Sequence, residues 1–136
     1  MGTLKLIPFL ESVWALEQRV SALLVDYNLT LSQFRLLLLL KSGEPQTSVR
    51  LSTALGITKA TTTPLLQELV NAGLVTIAPN PEDRRSILVS LSRAGKKRLR
   101  EAMEGMSAME QVLGRKIAPG MTEALNRLRL KGSKLS

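Results

Sequence analysis

Apolar residues recur at steps of three and four from the start of the chain. Leu6, Leu10, Val13, Leu16, Val20, Leu23 and Tyr27 mark one stripe of a long amphipathic helix, with Pro8 near its start, where a missing N–H costs little. Phe9 and Trp14 fall off that stripe, so the helix has either a wide core face or a second apolar face left for another copy to cover. After Asn28, Thr30-Leu31-Ser32 offers capping hydroxyls for a second helix running through Phe34 to Leu40, ended by Ser42-Gly43-Glu44-Pro45. A short helix from about Thr47 to Leu55 closes at Gly56. Thr58 then caps another from Lys59 to about Ala72, closed by Gly73. Two short helices joined by a glycine-containing turn read as helix-turn-helix.

The period then changes. Leu74 to Ala78 and Ser86 to Leu91 are short β-branched-rich runs around Pro79-Asn80-Pro81-Glu82-Asp83-Arg84-Arg85, which predicts a β-hairpin with basic residues near its tip. A helix-turn-helix followed directly by such a hairpin is a winged helix. Ser92 begins a last helical region, striped by Leu99, Ala102, Met103, Met106, Met109 and Leu113 to about Lys116. The methionines are read as core ahead of an adaptable binding surface. Pro119-Gly120 breaks this region, and Met121 to about Leu130 makes a final short helix.

Composition narrows the chemistry. A chain of 136 residues with 44% hydrophobic and 22% charged residues suits one folded domain and not a disordered segment. With neither Cys nor His there is no disulfide, thiol nucleophile or imidazole base, and no metal site of the common nitrogen and sulfur ligands. No nucleophile with an adjacent base can be assembled, so an enzyme is not expected, nor is any cofactor. The opening stretch, with Lys5, Pro8 and Glu11, lacks the pattern of a signal peptide. The longest apolar run, Leu36 to Leu40, is far short of a bilayer span, so a cytoplasmic protein with no membrane partner is expected.

Charge points to a partner. The net charge is +8, and its excess lies in the second part: 6 basic and 7 acidic residues through Asp83, against 13 basic and 4 acidic from Arg84 onward. This suggests a polyanion, nucleic acid or an anionic membrane surface, with a solvated helix face as the plain alternative. Phe9, Trp14, Tyr27 and Phe34 are the only aromatics and lie away from the basic cluster. Single-strand binders stack bases on aromatic platforms, so a duplex is the better fit.

In order along the chain, Leu31-Ser32-Gln33-Phe34, Leu55-Gly56-Ile57-Thr58 and Leu69 through Gly73-Leu74-Val75 resemble the MarR family of winged-helix transcriptional regulators. Most specific is Asn80-Pro81-Glu82-Asp83-Arg84-Arg85 followed by Leu91-Ser92-Arg93-Ala94-Gly95. It is similar to the family's wing signature of Asp-x-Arg and, after five residues, Leu-Thr-x-x-Gly, with Ser92 in place of threonine. The resemblance implies a mainly α fold with a small β-hairpin wing (α+β), one MarR-like domain over 1–136. Within it, a winged helix-turn-helix would occupy 30–91, and helices in 1–29 and 92–136 would form a dimerisation region. It implies a homodimeric repressor on an inverted-repeat operator in double-stranded DNA, released by a small-molecule effector.

For base reading the candidates are Thr58, Lys59, Thr61, Thr62 and Thr63 at the start of the recognition helix. Threonine offers both a hydroxyl and a methyl, and alone it reads weakly. In the family a wing arginine enters the minor groove, which assigns Arg84 and Arg85 there, with Asp83 bracing the loop. Gln33, Arg35, Arg50, Lys96 and Lys97 are candidate phosphate contacts. Trp14, Tyr27 and Phe34 either line an effector cleft or belong to the core. Two residues depart from the family pattern: Pro64 stands where an arginine is frequent, and Ile77 where a basic residue is common. Either the recognition helix is kinked at Pro64 or it begins near Thr63. These departures motivate the alternative of a winged-helix interaction protein acting through a protein partner.

Overall fold

The computed structural model describes residues 5–113 and 119–128. Its elements run α1 (Leu6–Val25), α2 (Leu31–Leu39), β1 (Gln46–Thr47), α3 (Ser48–Leu55), α4 (Lys59–Asn71), β2 (Val75–Pro79), β3 (Ile87–Leu91), α5 (Arg93–Leu113) and α6 (Pro119–Asn126). Side-chain hydroxyls open four of the helices by accepting an otherwise orphaned N–H. Thr30 accepts from the Gln33 amide at 3.1 Å while the Gln33 side chain accepts from the Thr30 amide at 3.0 Å, a complete capping box. Thr47 accepts from Arg50 at 3.2 Å, Thr58 from Thr61 at 3.1 Å and Ser92 from Gly95 at 2.9 Å.

The hairpin is part of a three-stranded antiparallel sheet in the order β1-β3-β2. Val89, in the central strand, pairs with Gln46 on one side and Ile77 on the other and is completely buried. The expectation of a two-stranded wing therefore misses β1. Two polar residues after a proline carry no strand pattern, and only pairing with β3 makes them a strand. Pro79 ends the outer strand β2, where a missing amide breaks no ladder.

Leu36, Leu37, Leu40, Leu51, Leu69, Leu74 and Val89 form the centre of the core, joined by Leu24 from α1 and by Leu99 and Ala102 from α5. Gly73 closes α4 at φ 73°, a left-handed conformation that glycine adopts without steric cost. Ser92 then ties the two helices that flank the wing: its hydroxyl donates to the Gly73 carbonyl at 2.6 Å and its amide to the Leu74 carbonyl at 3.0 Å. Gly95 rests so closely on the Leu74 backbone that a Cβ there would collide with the carbonyl.

Two alternatives are settled and one expectation is corrected. The recognition helix does not begin near Thr63: α4 starts at Lys59, as its capping threonine indicates, with exposed Pro64 inside it. The last helix starts at Pro119 and not Met121, since proline suits a first helical position. The stripe from Leu6 to Tyr27 is divided: Val20 and Tyr27 pack against the core, whereas Leu6, Leu10 and Leu16 are exposed. The expected reach of the last two helices to Lys116 and Leu130, like the segment Lys131 to Ser136, lies outside the described residues.

Candidate nucleic-acid interface

The capped start of α4 places Thr58, Lys59, Thr61 and Thr63 at the surface. Thr62, expected among them as a base reader, is 1% exposed and points into the α3–α4 contact. Its hydroxyl donates to the Thr58 carbonyl at 2.9 Å and lies 2.7 Å from the Ser52 hydroxyl, which also reaches the Ser48 carbonyl at 3.0 Å. Thr62 is therefore corrected from a reading residue to a polar pin between the two helices. Gln33 is likewise largely committed. Beyond its role in the capping box, its amide donates to Glu68 at 3.1 Å, which couples the start of α2 to α4. Arg35 donates to the Leu55 carbonyl at 3.4 Å, at the end of α3, where a cation complements the unpaired carbonyls.

Arg50 is free at the surface in the first turn of α3, and Lys96 and Lys97 are exposed in the first turns of α5. The wing tip is built by short polar side chains. Asn80 accepts from the Glu82 amide at 3.0 Å and donates to the Ser86 hydroxyl at 2.8 Å, closing the loop across its neck. Asp83 accepts from the Arg85 amide at 3.0 Å and sits 3.6 Å from its guanidinium. The Arg85 side chain is nevertheless 94% exposed. Among the described residues Arg84 has no carboxylate within ion-pair distance. The tip thus offers two solvated guanidiniums on a loop that its own hydrogen bonds hold in shape.

Of the three aromatics read as either effector-cleft or core residues, two join the core. Phe34 is core, Tyr27 packs against that core and under α5 at Gly105, and Trp14 is half in solvent on α1. The structure has instead a cavity of about 490 Å³ between α1 and α5, bounded by Leu16, Arg19, Leu23, Met109 and Val112. A second, of about 550 Å³, has Leu91, Leu99 and Met103 for its apolar wall and Lys41, Lys96 and Arg100 among its polar ones. Neither contains Trp14, Tyr27 or Phe34. Sequence reasoning also passed over Arg98, whose guanidinium donates to the Tyr27 carbonyl at 3.2 Å and joins α5 to the end of α1. Nothing in a basic run distinguishes that one member.

A capped helix packed on a second across a glycine turn, followed by a small sheet with a cationic tip, is a winged helix-turn-helix. Residues 27–86 match a model of the MarR family. The organic hydroperoxide resistance transcriptional regulator of Bacillus subtilis (strain 168) is 37% identical over 73 residues, 54% of this chain and 50% of that protein. The multiple antibiotic resistance protein MarR of Escherichia coli (strain K12) is 30% identical over 95 residues, 67% of this chain and 66% of its own length. The alignments thus span between half and about two thirds of these relatives.

Among solved structures, NadR in complex with 4-hydroxyphenylacetate is 26% identical, covers 94% of this chain and 93% of its own, and has a TM-score of 0.73. A MarR mutant from E. coli complexed with operator DNA is 25% identical, with 92% and 93% coverage and a TM-score of 0.71. The repressor CouR bound to a 23-mer duplex shares the fold at 21% identity and a TM-score of 0.81, covering 94% and 98%. The chain belongs to the MarR family. Its members here are transcription regulators and not enzymes, and no helix among the described residues is long and apolar enough to cross a membrane.

Proposed function

We propose that this chain is a dimeric regulator that binds duplex DNA and represses by occupying an inverted-repeat operator. The observation that carries the reading is the pair Arg84 and Arg85, held out in solvent from a self-braced loop, in a chain whose α4 begins with an exposed, capped turn. A narrow minor groove concentrates negative potential and attracts such guanidiniums, while the major groove admits the helix. The solved structures of a MarR mutant with its operator and of CouR with a duplex support it by likeness.

Dimerisation through α1, α5 and α6 completes the proposal. Leu6 is 68% exposed, Trp14 51% and Val112 80%, with Ile7, Leu125 and Leu128 also open to solvent. A lone soluble chain does not keep so much apolar surface wet. For an effector, the cavity walled by Leu99 and Met103, with Lys41, Lys96 and Arg100 facing Glu104 and Glu110 around it, suits a small, largely apolar molecule with a polar group, and NadR holds 4-hydroxyphenylacetate.

Titration of the protein against its own upstream DNA at several salt concentrations tests the reading. Sequence-selective binding is expected, with log affinity falling steeply against log salt. Arg84→Ala with Arg85→Ala is expected to remove most of that affinity, with the dimer unchanged by sedimentation. Weak binding indifferent to sequence favours the second reading, a winged-helix interaction protein, for which the uncharged Pro64 and the exposed Ile77 speak.

A further inference from the structure

The outward face of α4 is unusual in what it withholds. Ala60, Thr63, Pro64, Gln67 and Asn71 follow one another at helical spacing, are all exposed, and carry no charge. Lys59 stands to one side of this face and Glu68 to the other. The threonine hydroxyls are also largely used, with one proton of the Thr58–Thr61 pair left over. Thr63 donates its only hydroxyl proton to the Lys59 carbonyl at 3.1 Å. Thr58 and Thr61 share a hydrogen bond of 2.9 Å, with the Thr58 oxygen further engaged by the Thr61 amide. Thr62 is buried. Pro64 brings no N–H at all, and Gln67 turns one amide hydrogen to Asn71 at 3.0 Å. The centre of this face over the first two turns is therefore the Ala60 methyl, the Thr63 methyl and the Pro64 ring, with the free donors set around it: Lys59 at one edge, and the remaining amide hydrogens of Gln67 and Asn71 farther along.

A guanine edge presents two acceptors and needs donors, which the centre of this face lacks. The base-pair feature that matches a patch of methyl and ring carbons is the C5-methyl of thymine. We infer that α4 reads thymine methyl groups through Ala60, Thr63 and Pro64, so that each half-site carries an A·T pair opposite that patch. This rests on the proposed function and specifies its target.

The experiment selects duplexes from a randomised library with the full-length protein. It then replaces thymidines of the selected half-site, one at a time, by deoxyuridine, which lacks only the methyl. Binding is expected to weaken roughly fourfold at each contacted thymine, the scale of one buried methyl group. Thr63→Ser, which keeps the hydroxyl and drops the methyl, should bind the two bases equally at one position. Thr63→Val, which keeps the methyl, should retain the discrimination. Selected sites that are indifferent to deoxyuridine, or discrimination lost in Thr63→Val and kept in Thr63→Ser, overturn the inference and leave DNA recognition standing. Failure to enrich any sequence overturns both.

Discussion

Leu36 on α2 and Leu16 on α1 are the same side chain at helical spacing in the same protein, yet the first is wholly buried and the second is 40% exposed. The difference runs through the molecule. From α2 to β3 the leucines close on one another, with Leu37, Leu51, Leu69, Leu74 and Val89 sharing a core that one chain completes. On α1, and at Val112 and α6, apolar residues remain in solvent beside a groove of about 490 Å³. Burial in one region comes from local connections a few residues long. In the other, among the described residues, the apolar surface has no neighbour of its own chain to meet, so its stability is expected to depend on protein concentration.

The sharpest way to break this contrast is to charge the open region. Leu10→Glu with Trp14→Glu is expected to weaken self-association by at least roughly 100-fold, since two central apolar anchors are lost. Sedimentation at several concentrations should then show a monomer that still melts cooperatively, and a persisting dimer would place the interface elsewhere. Within the closed region, Leu36→Ala should cost about 2–5 kcal/mol in denaturant unfolding, independent of protein concentration. Leu16→Ala in the monomeric background should change stability by no more than about 0.5 kcal/mol. Similar losses at the two sites would erase the distinction.

Gly95→Ala probes the joint between the regions. Its new Cβ meets the Leu74 carbonyl, and a loss of about 1–3 kcal/mol is expected by thermal unfolding. A smaller loss than at Leu36 is expected for Thr62→Val, which removes a hydroxyl bonded to the Thr58 carbonyl and leaves Ser52 with its Ser48 partner. About 1 kcal/mol should be lost. A large fall in DNA affinity at unchanged stability would instead return Thr62 to the reading surface.

What was legible in the sequence is what short-range chemistry determines. Thr30, Thr47, Thr58 and Ser92 cap helices because a hydroxyl serves an amide three residues on, and Gly56 and Gly73 end helices because the left-handed turn suits them. The hairpin from Leu74 to Leu91 was visible for the same reason. Strand β1 was not, because Gln46 and Thr47 become a strand only by pairing with residues forty positions away in the fold's own register, Leu88 and Val89. Nor was the burial of Thr62, since a run of similar threonines does not reveal which one turns inward. The stripe of α1 is apolar as its spacing predicts, and only its end, at Val20 and Tyr27, reaches the core. Periodicity reports that a face avoids water and is silent on whether the same chain covers it. For the site, the basic tip and its Asp83 neighbour were readable, and of the two readings of the aromatics the core is the one that Phe34 and Tyr27 take.

The contact of Ser92 with Gly73 and Leu74 has a consequence for how the molecule can vary. Because α4 and α5 meet there directly, the excursion from Val75 to Leu91 hangs from a closed clasp and is not a link in the load path between them. The tongue can therefore be lengthened or recoloured at its tip, from Pro81 to Arg85, while the joint between the two rods is held by Ser92 and by the close seat of Gly95 on Leu74.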